Sequence, residues 1–143
     1  MPAIMEKRAR EVPKGVTAIV KRAATSVHRT VVLSSPVDTG ELRSNWVGTL
    51  NTPFTSIIPP YAPGNKLGIG ERANAQGAIA QGQVTIKAFD SRKDVSVIFA
   101  NNTPQVGLIN SGAVRSQQAP MMFVEKSIQF GIVSIKGAKI LKD

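Results

Sequence analysis

Between Pro13 and Ser34 the apolar residues Val16, Ile19, Val20, Ala23, Val27 and Val31 recur at three- and four-residue steps. That period winds one apolar stripe onto a helix and obliges another element to cover it. Lys14, Lys21, Arg22, Thr25 and Arg29 fall off the stripe, on the wet side. Pro13 suits a first helical position, where its missing N–H costs nothing. Ser34-Ser35-Pro36 ends the run, because a residue before proline is pushed out of the helical region. The spacing therefore predicts a helix over 13–33. Residues 3–11 have helix-forming content but little apolar payload, and Pro13 and Gly15 punctuate the chain just beyond them. The expected organisation is an N-terminal arm, 1–12, on a single domain, 13–143.

Further along, Pro36 to Arg43 reads as a turn in which Asp38 or Thr39 caps a short helical turn. Asn45 to Leu50 alternates Trp46, Gly48 and Leu50 against Val47 and Thr49, which fits a strand with Trp46 in the core. Residues 51–70 hold Pro53, Pro59, Pro60 and Pro63 and read as an extended loop, longer than a compact domain keeps without a use for it. Residues 71–83 are rich in Ala and Gln and read as a helix weakened by Gly77 and Gly82; residues 84–89 fit either its continuation or a strand. Val95 to Asn101 alternates cleanly and is β-branched, the best strand in the chain. A short helix over 105–110 lies within a mostly irregular stretch, 102–120. From Pro120 a second amphipathic helix is expected with Met121, Val124, Ile128, Ile132 and Ile135 on one face, broadened by Phe123 and Phe130, stopping near Lys136-Gly137. The sum is an α+β fold: two or three helices packed on a small, mostly antiparallel β-sheet, with a long Pro/Gly-rich loop.

Composition narrows the chemistry. There is no cysteine and one histidine, His28, which removes thiolate metal sites, disulfides and the usual multi-histidine sites. His28 lies beside the apolar stripe and reads as a boundary residue rather than a ligand. Asp38-Thr39-Gly40 matches the aspartic-protease triplet, but that chemistry needs two carboxylates sharing a proton, and here the triplet follows a helix and Pro36. Gly68-Ile69-Gly70-Glu71-Arg72-Ala73 fits a loose dinucleotide pattern without the preceding strand such a site requires. No cofactor, metal or catalytic constellation is expected, and the chain does not read as an enzyme. No run approaches the ~18 apolar residues of a membrane span, and Met1 to Glu6 lacks a signal-peptide core, so a soluble product of the cytoplasm is expected.

Charge is uneven. Lys plus Arg number 18 against 9 Asp plus Glu, a formal +9, and residues 1–34 alone hold seven basic and two acidic residues. Lys7, Arg8, Arg10, Lys14, Lys21, Arg22 and Arg29 are candidate contacts for DNA or an acidic partner. The same residues also describe an ordinary solvated face. No helix-turn-helix, zinc-finger or RNA-recognition signature accompanies them, and no aromatic residues interleave to stack unpaired bases.

Two stretches together resemble the tail-completion, or neck, proteins of tailed bacteriophages. The first runs from Ser35 to Trp46 and includes Asp38, Thr39, Gly40 and Leu42, after an amphipathic helix and before a strand. The second runs Val97 to Pro104, with the strand ending at Asn101, then Leu108 to Gly112, then Ser116-Gln117-Gln118-Ala119-Pro120 before a last helix. Gln105 and Asn110 stand where that family often has Tyr and Glu. The resemblance implies a structural virion protein, assembled in the host cytoplasm, that forms a homo-oligomeric ring at the head–tail junction. Its partners would be other copies of itself, portal or adaptor proteins, tail-terminator or tail-tube proteins, and genomic DNA in the lumen, with no membrane. Asp38, Thr39 and Gly40 would set the helix-to-strand turn; Gln118, Ala119 and Pro120 would set the loop before the last helix. The loop at 51–70 and the arm at 1–12 would reach neighbouring subunits. The alternative is a small basic DNA-binding protein using residues 7–29.

Overall fold

A computed structural model describes residues 2–36, 40–62, 70–113 and 119–141. Its elements run α1 (Pro2–Ser34), α2 (Glu41–Ser44), β1 (Val47–Leu50), α3 (Glu71–Ala88), β2 (Val97–Ala100), α4 (Gln105–Ser111) and α5 (Phe123–Ser134). The architecture is α+β. Five helices stand among the described residues where two or three were expected, because α2 and α4 are short helical turns added to three long helices. Residues 51–62 carry neither helix nor strand, and residues 63–69 of the expected loop lie outside the described residues.

α1 is longer than the apolar stripe. The segment expected as an arm is helical from Pro2, and Pro13 sits inside the helix rather than at its start. Proline forfeits one i→i−4 bond, yet the Ala, Met, Glu, Lys and Arg residues of 3–11 are strong helix formers and the helix runs through it. The turn after α3 docks beside that point: Ser91 Oγ donates to the Pro13 carbonyl at 2.8 Å, Thr17 Oγ1 donates to Ser91 Oγ at 2.8 Å, and Ser91 N–H donates to Thr17 Oγ1 at 2.9 Å. α3 absorbs the ambiguous stretch, running helical to Ala88.

β1 and β2 pair antiparallel, with Val47 opposite Ala100 and Leu50 opposite Val97. The core lies under this pair and between the helices: Val31, Val32, Trp46, Ala75, Ala78, Ala119 and Phe123 form one buried cluster. Trp46 meets Phe123 edge to face, with ring centroids 6.4 Å apart, a favourable aromatic geometry.

α5 turns a different face inward from the one its large apolar residues indicate. Phe123, Ser127 and Gly131 are buried, whereas Ile128 is 45% exposed, Ile132 62% and Phe130 61%. Met121, also expected inside, is exposed. The reason is separation between helices. A Cβ on Gly131 would run into the Val27 side chain and lie 3.2 Å from the Ala23 carbonyl. α5 thus packs on α1 through its smallest residues, and Ser127 disposes of its hydroxyl by donating to the Phe123 carbonyl at 2.7 Å. Larger side chains on that line would force the helices apart. Gly131→Val is therefore expected to destabilise the fold by about 2 kcal/mol through overpacking, while Ile132→Ser stays within about 0.5 kcal/mol of the parent. Urea unfolding of the two variants checks the contrast; equal losses would contradict this packing.

Candidate functional site

The two stretches that carry the family resemblance meet in space. Asn101, at the end of β2, donates from Nδ2 to the Leu42 carbonyl of α2 at 2.8 Å. Its Oδ1 accepts from the Thr103 N–H at 3.1 Å and the Thr103 hydroxyl at 2.6 Å, a local turn that buries Thr103. Leu42 is buried beneath it. Gly40 caps α2 with φ 77°, a left-handed conformation, and any Cβ there would fall on the Asn74 amide. Asn74 uses that amide as a clamp: Oδ1 accepts from Ala62 N–H at 2.7 Å and from the Ser44 hydroxyl at 3.0 Å, and Nδ2 donates to the Ala62 carbonyl at 3.1 Å. Asp38 and Thr39 lie outside the described residues, as does Gln118. Ala119 is in the core cluster. Pro104 and Gly112 bracket α4, and Pro120 is exposed.

Trp46 joins this junction to α1. Its Nε1–H donates to Ser35 Oγ at 2.7 Å, and the Ser35 hydroxyl in turn donates to the Val31 carbonyl at 2.7 Å. The Trp46 carbonyl accepts from His28 Nε2 at 2.9 Å. His28 is not a boundary residue: it is fully buried, because α3 brings Gly82 against its ring and Phe99 of β2 covers it at a centroid distance of 4.6 Å. A donating Nε2–H fixes the neutral tautomer, and Nδ1 has no hydrogen-bond partner among the described residues. Burial lowers the His28 pKa from 6.5, and the bond to the Trp46 carbonyl opposes this only in part.

A strand edge is closed by the same device that Asn74 uses. Gly48 of β1 donates to Gln81 Oε1 at 2.8 Å, and its carbonyl accepts from Gln81 Nε2 and Thr85 Oγ1, each at 2.8 Å. Two helical side chains thereby occupy the position of a neighbouring strand. Asn45 does likewise for Ile58, accepting from its N–H at 2.8 Å and donating to its carbonyl at 2.9 Å. Asn45, Asn74 and Gln81 gave no sequence signal, since their partners lie 12 to 33 residues away.

The basic residues of α1 do not form one stripe. Lys7, Lys14 and Arg22 flank a groove closed by Ala138 to Leu141, Lys7 also pairing with Glu11 at 4.0 Å. Lys14 and Lys21 face Lys87, Asp90 and Arg92 across a second groove of about 440 Å³. Lys21 Nζ donates to the Lys87 carbonyl at 2.9 Å, near the C-terminus of α3. Arg92 bonds to the Asp90 carboxylate and holds it below the usual carboxylate range; with that pair matched, three lysines are left around the groove. Arg29 lies instead beside Arg43, Glu71 and Arg72. Arg8 and Arg10 are exposed near the free end of α1. Lys87 and Arg92 were not singled out in the sequence; they become relevant only because the turn at 91–93 docks at Pro13. Among the described residues no group of three His, Asp or Glu side chains is placed to hold a metal ion, and no helix is long and apolar enough to cross a membrane.

Compared with known proteins, the chain matches no family model, no curated protein and no solved structure.

Because the folded state resists protonating His28 and the unfolded state does not, its contribution to stability is complete above about pH 6.5 and is lost as the pH falls from there through the lowered folded-state pKa. Asp90 and Asp94 have lowered pKa values, so their contribution is lost only at pH values below the ordinary carboxylate range. Urea unfolding between pH 7 and pH 5 is expected to show this loss, and His28→Gln to flatten it. A parent profile already flat over that interval would refute the buried neutral imidazole.

Proposed function

We propose that this chain is a structural virion protein of a tailed bacteriophage, a head–tail connector or tail-completion subunit that assembles as a homo-oligomeric ring at the neck with DNA passing through its lumen. The observation that carries the reading is the amount of large apolar side chain left uncovered at separate places on one subunit. Ile4 and Met5 are bare near the tip of α1, and Phe130, Ile132 and Val133 are bare on α5. Clusters of exposed large apolar side chains of this kind are a mark of association surfaces. Ring closure needs two different patches that meet around an axis, which separated patches supply.

The resemblance supports the same reading, and so does the bond from Asn101 to Leu42 that draws its two stretches together. The helical segment 2–12 and the loop at 51–70 are the elements proposed to reach neighbouring copies or the portal, adaptor, terminator or tube proteins. The role asks for no catalysis, cofactor or membrane. Assembly would take place in the host cytoplasm and the product would reside at the head–tail junction.

The second reading, a small basic DNA-binding protein, is favoured by one feature, the lysines Lys14, Lys21 and Lys87 around one groove. It requires affinity for duplex DNA that falls steeply with salt.

Negative-stain imaging of virions labelled with an antibody to this chain is the decisive experiment. Label at the head–tail junction is the expected result. Label absent from particles, together with steeply salt-dependent DNA binding by the purified chain, would replace the connector reading with the second one.

A further inference from the structure

The basic residues of α1 divide among grooves, yet three of its lysines keep a seven-residue spacing: Lys7, Lys14 and Lys21. Seven residues of an α-helix fall about 20° short of two full turns and rise about 10.5 Å. The three lysines therefore stand within an arc of about 40° along about 21 Å of one helix face. Lys7 and Lys14 line the groove closed by Ala138 to Leu141, and Lys14 and Lys21 line the one closed by Lys87 to Arg92. The two grooves share Lys14 and Ala18 and so adjoin along α1. Around the joint surface stand seven Lys and Arg against two Asp and Glu, a net +5 of the chain's formal +9.

Both carboxylates of that surface are already engaged: Glu11 lies 4.0 Å from Lys7, and Arg92 reaches Asp90 at 3.2 Å. Lys21 gives one N–H to the Lys87 carbonyl, which fixes it beside its groove with its charge intact. Lys14, Arg22 and Lys87 are exposed and make no ion pair among the described residues. A small anion spans one or two such charges, whereas a row about 21 Å long calls for a polymer of anions. Duplex DNA carries a phosphate about every 3.4 Å on each strand, so the row meets several at once. A second copy of this chain has no matching acidic face among its described residues. Asp94 is bonded to Asn51, Glu125 to Asn110, and Glu71 lies among Arg29, Arg43 and Arg72. Glu41 is engaged as well, which leaves Glu6. Phe89 of the lining is buried and offers no ring to stack on bases, and lysine meets phosphate as a point charge that carries no sequence information.

We infer that this lysine row, with Arg22 and Lys87 beside it, takes duplex DNA by its phosphates without reading the sequence, and that in the ring it is the face turned to the lumen. The inference rests on the connector reading, which supplies the duplex and puts it inside the ring. Phosphate contacts of this kind let protein and DNA slide past one another, as passage through a lumen requires. Arg29 lies in a different groove, beside Arg43 and Arg72, and takes no part.

Fluorescence anisotropy of the full chain with two short duplexes of unrelated sequence, between about 50 and 200 mM salt, tests the contact. Both duplexes are expected to bind equally, and about four phosphate contacts give a slope of log affinity on log salt of about −3.6, a loss of about 150-fold over that range. Lys14→Gln and Lys87→Gln are each expected to bind more weakly and to reduce the slope by about 0.9, while Lys14→Arg and Arg29→Gln keep the parent slope. Unchanged circular dichroism establishes that the variants fold. The chain has no cysteine, so a photoactivatable cross-linker can be placed on Lys14→Cys or Arg29→Cys; in virions the first is expected to reach packaged DNA and the second is not. Label at the head–tail junction with no duplex binding at about 50 mM salt, or with a slope that Lys14→Gln and Lys87→Gln leave unchanged, overturns the DNA face and leaves the connector reading intact. Binding through these lysines by a chain absent from virions upholds the face and defeats the connector reading. Cross-linking from position 29 rather than 14 overturns the lumen orientation. Poly-glutamate, or vesicles of phosphatidylserine and phosphatidylcholine, bound as tightly as the duplex would overturn DNA as the partner.

Discussion

A sheet of two short strands cannot hold itself in water, and the layer of chain around β1 and β2 depends on how that deficit is met. Side-chain amides and hydroxyls act as substitute strands. Gln81 and Thr85 take up the outer groups of Gly48, Asn45 takes those of Ile58, and Asn74 those of Ala62. Asn51, at φ 68°, serves the far end by accepting from Val95 and Ser96 while donating from Nδ2 to Asp94. Each primary amide offers a donor and an acceptor in nearly the spacing of a peptide unit. The irregular chain at 51–62 thereby satisfies its buried backbone groups without forming a ladder.

Beneath that layer the helices approach closely, and small residues allow it. Gly82 lets α3 lie against the His28 ring, and Gly131 lets α5 lie against Val27. The close contact fixes a single registration of α1 against its neighbours. It also explains the polar groups found there: Ser35, Ser44, Ser127, Asn45, Asn74 and His28 are all buried, and each has a hydrogen-bond partner near at hand. Placing them costs desolvation, which the bonds offset, and in return the core has few alternative packings.

The parts of the fold that could be read from the chain are those with a local cause. The apolar period of Val16 to Val31 announced α1, and the β-branched run at Val95 announced β2. Of the stretch 51–70 expected as a loop, the described residues 51–62 carry neither helix nor strand. Misreadings arose where a distant contact outweighed a local preference. Pro13 looked like a helix start because its cost is local, while the helix formers upstream of it carry the chain through. Ile128 and Ile132 outrank Ser127 and Gly131 on any hydrophobic scale, yet the approach of α1 at Ala23 and Val27 selects the smaller pair. His28 looked peripheral because nothing near it in sequence reveals Gly82 or Phe99. The asparagines of the junction were silent for the same reason.

α1 spans about 50 Å at 1.5 Å per residue, and Pro13 divides it unequally in cooperativity as well as in length. Helical turns are coupled through consecutive i→i−4 bonds, and a proline breaks that series at one place. The turn at 91–93 anchors the helix at Pro13 and Thr17, so the break falls where the tertiary support begins. Residues 3–10 are exposed and lie beyond this anchor, so their helical turns have less tertiary support than those of the packed body. Any surface that docked on those exposed turns would add to their helix order, so its binding energy and the helix–coil balance of the segment would be linked in one equilibrium.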